Sequence, residues 1–242
     1  MVKLSAAIIT FNEEKNIVSL LNNLYPIFDE IVIVDGISLD KTIGLIEKYK
    51  TNIDVVGKIK LHLFSQVATR YSGSWQQSSQ RNLALERVNG DWIFCIDADE
   101  RLDGNARMRL ENAAADDSVL AWALPTFHYW ETEDQIRIDD WWYPNYHYRF
   151  WKNRTGIRYS SHSRHCFPVI KGRMDVRTVK EPKDEIPFLN SVPIHHYHHC
   201  PIRQKPGGGY RSNFKDVKTL EELTAGLQIE KGKPRRKGPM ER

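Results

Sequence analysis

The sequence lacks the signatures of several common chemistries. Cysteine is scarce: Cys95, Cys166 and Cys200 are the only three, and no two of them form a C-x-x-C pair. A disulfide framework and a thiolate zinc site are both disfavoured, and a reducing compartment is the simple reading. Long apolar runs are missing too, since none approaches the ~20 residues needed to span a bilayer. The opening stretch MVKLSAAIITFNEE has no long apolar core and no small-residue cleavage site, so it reads as a first strand and not as a secretory leader. No G-x-G-x-x-G follows that strand, and G-x-x-x-x-G-K-[ST] occurs nowhere. These absences argue against a dinucleotide oxidoreductase and a P-loop NTPase. Neither sign of charge dominates: 35 basic and 31 acidic residues leave a net charge of +4. That balance admits an anionic ligand or surface without requiring nucleic acid. Together these features predict a cytoplasmic protein.

What is present is an alternating pattern that runs as far as Glu100. KLSAAIIT is an apolar segment of strand length, followed by FNEEKNIVSLLNNLY. There Asn12 is a candidate N-cap with Glu13 and Glu14 in the first turn. Ile17, Leu20, Leu21 and Leu24 fall on one helical face until Pro26 stops the helix. EIVIVDG is a β-branched run suited to a strand buried on both faces. ISLDKTIGLIEKYK is a second helix starting at Ser38 or Asp40, and KIKLHLFS a third strand. SSQRNLALERVNG is a third helix closed by Asn89-Gly90, and DWIFCIDADE a fourth strand. Four alternations predict an α/β fold with a parallel, doubly wound sheet. At 242 residues, 40% of them hydrophobic, the chain can bury a proper core. Ligands of such sheets sit beyond the carboxyl ends of the strands, where TFNEE, VDG and DADE all fall.

The fourth strand poses the sharpest question. WIFCI suits a buried strand, yet Asp97, Asp99 and Glu100 follow at once. Crowded, unpaired carboxylates are costly to bury. In an extended segment Asp97 and Asp99 would point to the same side and could share a hard divalent cation, Mn²⁺ or Mg²⁺. The bland alternative is a solvated turn that caps the next helix. Asp35, at the end of the second strand, could accept from a base N–H or merely cap its turn. Arg81 could pair with phosphate or a base carbonyl, or lie on the surface. In IHHYHH a strand would set His196 and His198 on one face and His195 and His199 on the other. Without cysteine partners these histidines make a weak zinc site, but one of them could complete a metal shell at Asp99. The aromatic block from Trp122 to Trp151 is mostly core by expectation, with one or two rings left for a sugar.

AIITFNEEKNI, IVIVDGISLDKT, SQRNLAL and GDWIFCIDADER, in this order and spacing, resemble the family 2 glycosyltransferases of the GT-A fold. The resemblance covers roughly residues 2 to 104. It continues more weakly through WWYPNYHYRFW and PIHHYHH, which are similar to a subgroup that adds a sugar to lipopolysaccharide core or related glycans. It implies a Rossmann-like, mainly parallel sheet flanked by helices, with a smaller aromatic-rich region on the acceptor side. Residues 1–104 would be the nucleotide-sugar half, 105–205 the acceptor-side half of the same domain, and 206–242 a basic, loose tail. Thr10, Asn12 and Glu14 would line the base and ribose pocket, Asp35 would contact the base, expected to be uracil, and Arg81 would help hold the nucleotide. Asp97 would sit near the ribose and metal, Asp99 would ligate Mn²⁺ or Mg²⁺ on the diphosphate, and His196 would match the family's late histidine beside the metal. The implied activity is inverting transfer of a sugar from a nucleotide-sugar donor to a glycan or lipid-linked saccharide hydroxyl.

The resembling subgroup carries a His-Glu pair before a short strand in its second half. Here SSHSRHCFPVIKG offers His165 and no acid. The general base is therefore open among Glu131, Glu133, Asp139, Asp140 and His165, with Asp140 preferred. A non-catalytic nucleotide-sugar-binding protein is the first alternative. A nucleic-acid or anionic-surface binder using the basic tail KGKPRRKGPMER and the aromatics is the second, and the small net charge and acidic rim speak against it. That tail could still tether an enzyme to anionic lipid head groups. A sugar nucleotidyltransferase would need a Gly-rich, basic first loop, which TFNEE does not supply.

Overall fold

The computed structural model describes residues 1–65, 74–138, 143, 145–153, 155–159, 168–170, 187–199 and 217–219. Its centre is four parallel strands, β1 (Leu4–Thr10), β2 (Glu30–Asp35), β3 (Ile59–Leu63) and β4 (Trp92–Asp97), in the spatial order β3-β2-β1-β4. Helices α1 (Ile17–Leu24), α2 (Thr42–Asn52) and α3 (Ser74–Arg87) connect them. Every residue of β2 is buried, as its unbroken apolar run requires. Ile31 and Ile33 pack with Leu20, Leu21 and Leu24 of α1 and Ile46 of α2. Val32 and Val34 pack on the other face with Ala84, Leu85 and Val88 of α3. The sheet is thus covered on both sides, as the doubly wound reading expects. The chain steps from β1 to β2 to β3, then returns to place β4 on the far side of β1. That reversal opens a crevice beyond the carboxyl ends of β1 and β4.

The remaining elements are β5 (Glu100–Leu102), α4 (Ala106–Ala114), β6 (Ala121–Trp130), β7 (Gln135–Arg137), β8 (Asn145–Lys152), β9 (Ile157–Tyr159), β10 (Pro168–Ile170), β11 (Ile194–His199) and β12 (Val217–Thr219). β8 joins β4 antiparallel, and β6, β7 and β12 extend the same sheet outward, so the parallel centre carries an antiparallel flank. The sheet crosses residue 104 without a break, and Val217–Thr219, within the stretch expected as tail, pairs with β7. The rest of 206–242 lies outside the described residues. β11 runs parallel to β6 and antiparallel to β5, which draws the histidine strand against the reversal after β4. Many of the aromatics are core: Trp92 stacks on Phe150 at 4.6 Å between ring centres, and Trp151 is buried. Cys95 is a buried free thiol, pushed up to about 11 by burial. Among the described residues no helix is long and apolar enough to cross a membrane.

Two local expectations need correction. Asn12 does not cap α1, which begins at Ile17 with Asn16 in the cap position. Asn12 instead takes a left-handed φ of 56° and turns its side chain to the neighbouring loop, where its Oδ1 accepts the Leu39 N–H at 2.8 Å. Ser38 likewise does not start α2. Asp40 lies nearer, and its Oδ1 accepts the Thr42 N–H at 2.9 Å.

At the amino end of β2 the buried Glu30 ties three segments together. Its carboxylate accepts from Ser5 Oγ at 2.6 Å, from the Asn89 N–H at 2.7 Å and from Lys60 Nζ at 2.5 Å. Gly90 completes the contact by donating its N–H to Ser5 Oγ, and a Cβ at Gly90 would lie 2.4 Å from that oxygen. Burial pushes the Glu30 carboxyl up, but the donors from Asn89, Lys60 and Ser5 outweigh it and hold the group at about 2. A carboxyl depressed in the folded state stabilises the fold above its unfolded value of about 4.3 and loses that contribution as pH falls toward 2. Glu30→Gln should therefore lower stability at pH 7 by about 1–3 kcal/mol and flatten its decline between roughly pH 5 and pH 2. Urea unfolding of both proteins across that range is the check.

Candidate functional site

The carboxyl ends of β1 and β2 lie in register, with Thr10 beside Asp35. Thr10 Oγ1 donates to Asp35 Oδ2 at 2.6 Å, and Ser38 donates to the same carboxylate through its N–H at 2.6 Å and its hydroxyl at 2.7 Å. Asp35 is fully buried. A carboxylate offers about four acceptor positions, and protein donors fill three of those of Asp35. Gln80 of α3 clamps the two strand ends from below by donating to Thr10 O at 3.0 Å and Val34 O at 2.7 Å. Asn12 is half-buried and Glu14 exposed on the loop above, where Glu14 accepts the Lys41 N–H at 3.3 Å. The structure thus brings Thr10, Asn12, Glu14 and Asp35 to one rim.

The end of β4 shows how three crowded carboxylates are tolerated. Asp97 is gripped from two sides: Arg81 of α3 meets its Oδ1 at 2.5 Å, and Arg149 of β8 meets its Oδ2 at 3.1 Å. The same Arg149 nitrogen reaches Glu100 Oε1 at 2.9 Å, while Glu100 Oε2 accepts the Asp97 N–H at 2.8 Å. Burial pushes Asp97 up, but the two guanidiniums overcome it and hold the carboxyl far below its usual range. Glu100 is raised by its burial and by Asp97, with Arg149 opposing. Arg81 also lies over the Tyr159 ring, 5.3 Å from its centre. Arg81 is therefore not a lone surface arginine: it is the partner of Asp97, and its buried Nε has no partner among the described residues.

Asp97 and Asp99 do not share an extended segment. The strand ends at Asp97, Ala98 and Asp99 form a tight turn, and β5 begins at Glu100. The Glu100 side chain locks this reversal through the Asp97 N–H, and the buried Arg101 guanidinium donates to Ala98 O at 2.9 Å and Glu100 O at 2.6 Å. The turn sends Asp97 toward Arg81 and Asp99 toward β11. There His196 Nε2 lies 3.6 Å from Asp99 Oδ2, and the Tyr197 N–H donates to Asp99 O at 2.9 Å. Burial lowers the His196 imidazole, yet Asp99 outweighs it and raises the group above its ordinary value. His196 Nδ1 is in turn 2.8 Å from Nδ1 of His128 on β6. His147 of β8 is nearby and is pushed down to about 3 by burial and by Arg149, so it is neutral.

The expected alternation along β11 holds for the side chains described. His195 faces away from His196: its Nε2 lies 3.0 Å from Asp103 Oδ1 and its Nδ1 2.8 Å from the Tyr129 hydroxyl. These groups, with Tyr197, line a separate cleft of about 630 Å³. The side chains of His198 and His199 lie outside the described residues. So do Asp139, Asp140 and His165, three of the base candidates. Glu131 stands in the exposed turn after β6 at φ 62°, and Glu133 borders the His195 cleft. Arg149 and His128 escaped the sequence reading. An arginine isolated between Tyr148 and Phe150 was the available signal, because a buried guanidinium demands a carboxylate.

A family model described as glycosyl transferase family 2 matches residues 5–171. The chain belongs to this family. The GT-A class of α/β fold expected from the resemblance stands with it. The poly(ribitol-phosphate) beta-N-acetylglucosaminyltransferase TarS of Staphylococcus aureus is 32% identical over 120 residues, 48% of this chain and 19% of that protein. The lipopolysaccharide core biosynthesis glycosyltransferase LpsC of Rhizobium meliloti is 38% identical over 122 residues, 50% of this chain and 41% of that protein. This chain thus spans well under two thirds of either relative. Among solved structures, the mannosyltransferase PcManGT of Pyrobaculum calidifontis with GDP-Man and Mn²⁺ aligns over 53% of this chain and 36% of its own at 24% identity and a TM-score of 0.40. S. aureus TarS 1–349 with UDP aligns over 72% and 59% at 19% identity and a TM-score of 0.44. The fold assignment rests on the sheet order and the family match, not on overlays of this quality.

Removing one member of the Asp97–Arg149–Glu100 group leaves charge buried without a partner. Arg149→Met should cost about 3–5 kcal/mol, and adding Glu100→Gln to it should recover a substantial part. Denaturant unfolding of the single and double variants reads the coupling.

Proposed function

We propose that this chain is a metal-dependent, inverting glycosyltransferase that moves a sugar from a UDP-sugar to a hydroxyl of a glycan or lipid-linked saccharide. The observation that carries the reading is the convergence of Asp99 and His196 beyond the end of β4, at the point where the strand order reverses. Among the described residues no three His, Cys, Asp or Glu side chains form a metal cage. A carboxylate with one imidazole beside it is an incomplete shell. That fits a hard cation such as Mg²⁺ or Mn²⁺, which is commonly held by one or two protein ligands plus substrate phosphates. Asp99 and His196 would hold it, with Asp97 oriented behind them by Arg81 and Arg149. When bound, the cation supplies Lewis-acid neutralisation of the diphosphate leaving group.

The chain's own groups supply the rest. Asn12, Glu14 and Asp35 offer hydrogen-bond partners to a nucleobase and ribose at the neighbouring rim. The closed network of Arg81, Asp97, Arg149 and Glu100 fixes the floor of the site before any ligand arrives, so little reorganisation remains for the reaction. The acceptor hydroxyl must lose its proton to a base. We propose Asp140 for that role, preferred among Glu131, Glu133, Asp139, Asp140 and His165 where the family's His-Glu pair is missing. We further propose that the basic tail keeps the protein near anionic head groups, where a lipid-linked acceptor resides.

Calorimetric titration with UDP and GDP, each with Mn²⁺ and with EDTA, tests the donor reading. UDP should bind in Mn²⁺ and lose most of its affinity in EDTA, and Asp99→Ala should weaken metal-dependent binding more than about tenfold without unfolding the protein. Equal affinity of Asp99→Ala and wild type would defeat the metal assignment. Asp140→Asn should lower turnover about 10²–10⁴-fold at unchanged UDP affinity, while a wild type that binds UDP but never releases it from a UDP-sugar would be a binding protein.

A further inference from the structure

Two loops at the carboxyl rim turn left-handed, at Asn12 with φ 56° and at Ile37 with φ 61°. Asparagine tolerates this conformation because its short polar side chain can bond locally, and Asn12 does so with Leu39. Isoleucine does not, because its branched Cβ crowds the backbone there. A strained apolar residue is commonly tolerated when its side chain fills a core. Ile37 does not fill one: it remains 43% exposed. The conformation is enforced from outside. Ser38 is fixed to Asp35 through both its N–H and its hydroxyl, the same hydroxyl accepts the Asn12 N–H at 2.8 Å, and Gly36 donates to Thr10 O at 2.8 Å. An over-determined loop that holds one residue in strain is characteristic of ligand clamps. This one presents an exposed aliphatic side chain between Asp35 and the Asn12–Ser38 pair, whose polar groups suit the edge of a heterocycle but leave its flat faces without a partner.

We propose that Ile37 is an apolar wall of the nucleobase pocket, packing against the face of the donor's heterocycle. The proposal rests on the donor reading above and adds to it a residue that contributes affinity without reading base identity. Covering the Ile37 side chain with a ring removes apolar surface from water in the complex alone.

The test compares wild type with Ile37→Asn, which keeps a Cβ but accepts the left-handed conformation, and with Ile37→Gly. Each is titrated with UDP and with inorganic pyrophosphate in Mn²⁺, and each is melted. Both variants should melt no lower than wild type, bind UDP about tenfold more weakly, and bind pyrophosphate as wild type does. Unchanged UDP affinity in both variants would overturn the proposal and leave the donor reading standing. Parallel loss of UDP and pyrophosphate would also overturn it, by showing that the loop acts on the diphosphate. A variant that melts well below wild type would show that Ile37 serves stability instead. Wild type that binds no nucleotide in Mn²⁺ would remove the donor reading and this inference together.

Discussion

Three carboxylates at the end of one strand cannot remain in a protein interior without cations, and much of the second half of the chain is arranged to bring them. Arg81 comes from α3, Arg149 from β8 and His196 from β11. Each reaches Asp97, Asp99 or Glu100 only because its element is hydrogen-bonded or packed against the parallel centre. The antiparallel flank is thus more than an extension of the sheet. It closes the charge balance that the buried strand WIFCID opens.

The same residue type does different work at the two ends of β2. Glu30 at the amino end is surrounded by donors from Ser5, Asn89 and Lys60 and is wholly structural. Asp35 at the carboxyl end is as enclosed, yet its donors are Thr10 at the end of β1 and Ser38 in the loop after β2, both at the rim. Both carboxylates are buried, and only Asp35 stands at the carboxyl edge of the parallel sheet.

The parallel half was legible in the sequence because its signals are local. Period-3.6 apolar spacing located α1 through Ile17, Leu20, Leu21 and Leu24, and unbroken β-branched runs located β2. Period-2 alternation likewise set His195 and His196 on opposite faces of β11. The errors were also local, and each had a side chain bonding against expectation. Asn12 entered a left-handed turn instead of capping a helix, and Glu100 folded back on Asp97 to make a reversal where an extended D-x-D had been expected. What stayed hidden was long-range. Arg149 and His128 acquire their meaning from antiparallel and parallel pairings whose register no short motif encodes.

The dual pairing of β11 also sets an order of assembly. The four parallel strands and their helices are complete by residue 97, and a contact at their edge, Lys3 with Asp91, already spans 88 residues. The contact between Asp103 and His195 spans 92 residues, and His196 meets Asp99 across a similar distance. Closing so long a loop is entropically costly and is repaid only when the strand docks. During synthesis the parallel centre can therefore acquire its sheet while its acidic strand end still lacks both Arg149 and His196. Until β11 arrives, that end is a net-negative surface open to water. Arg149 of β8 and His196 of β11 are what close it.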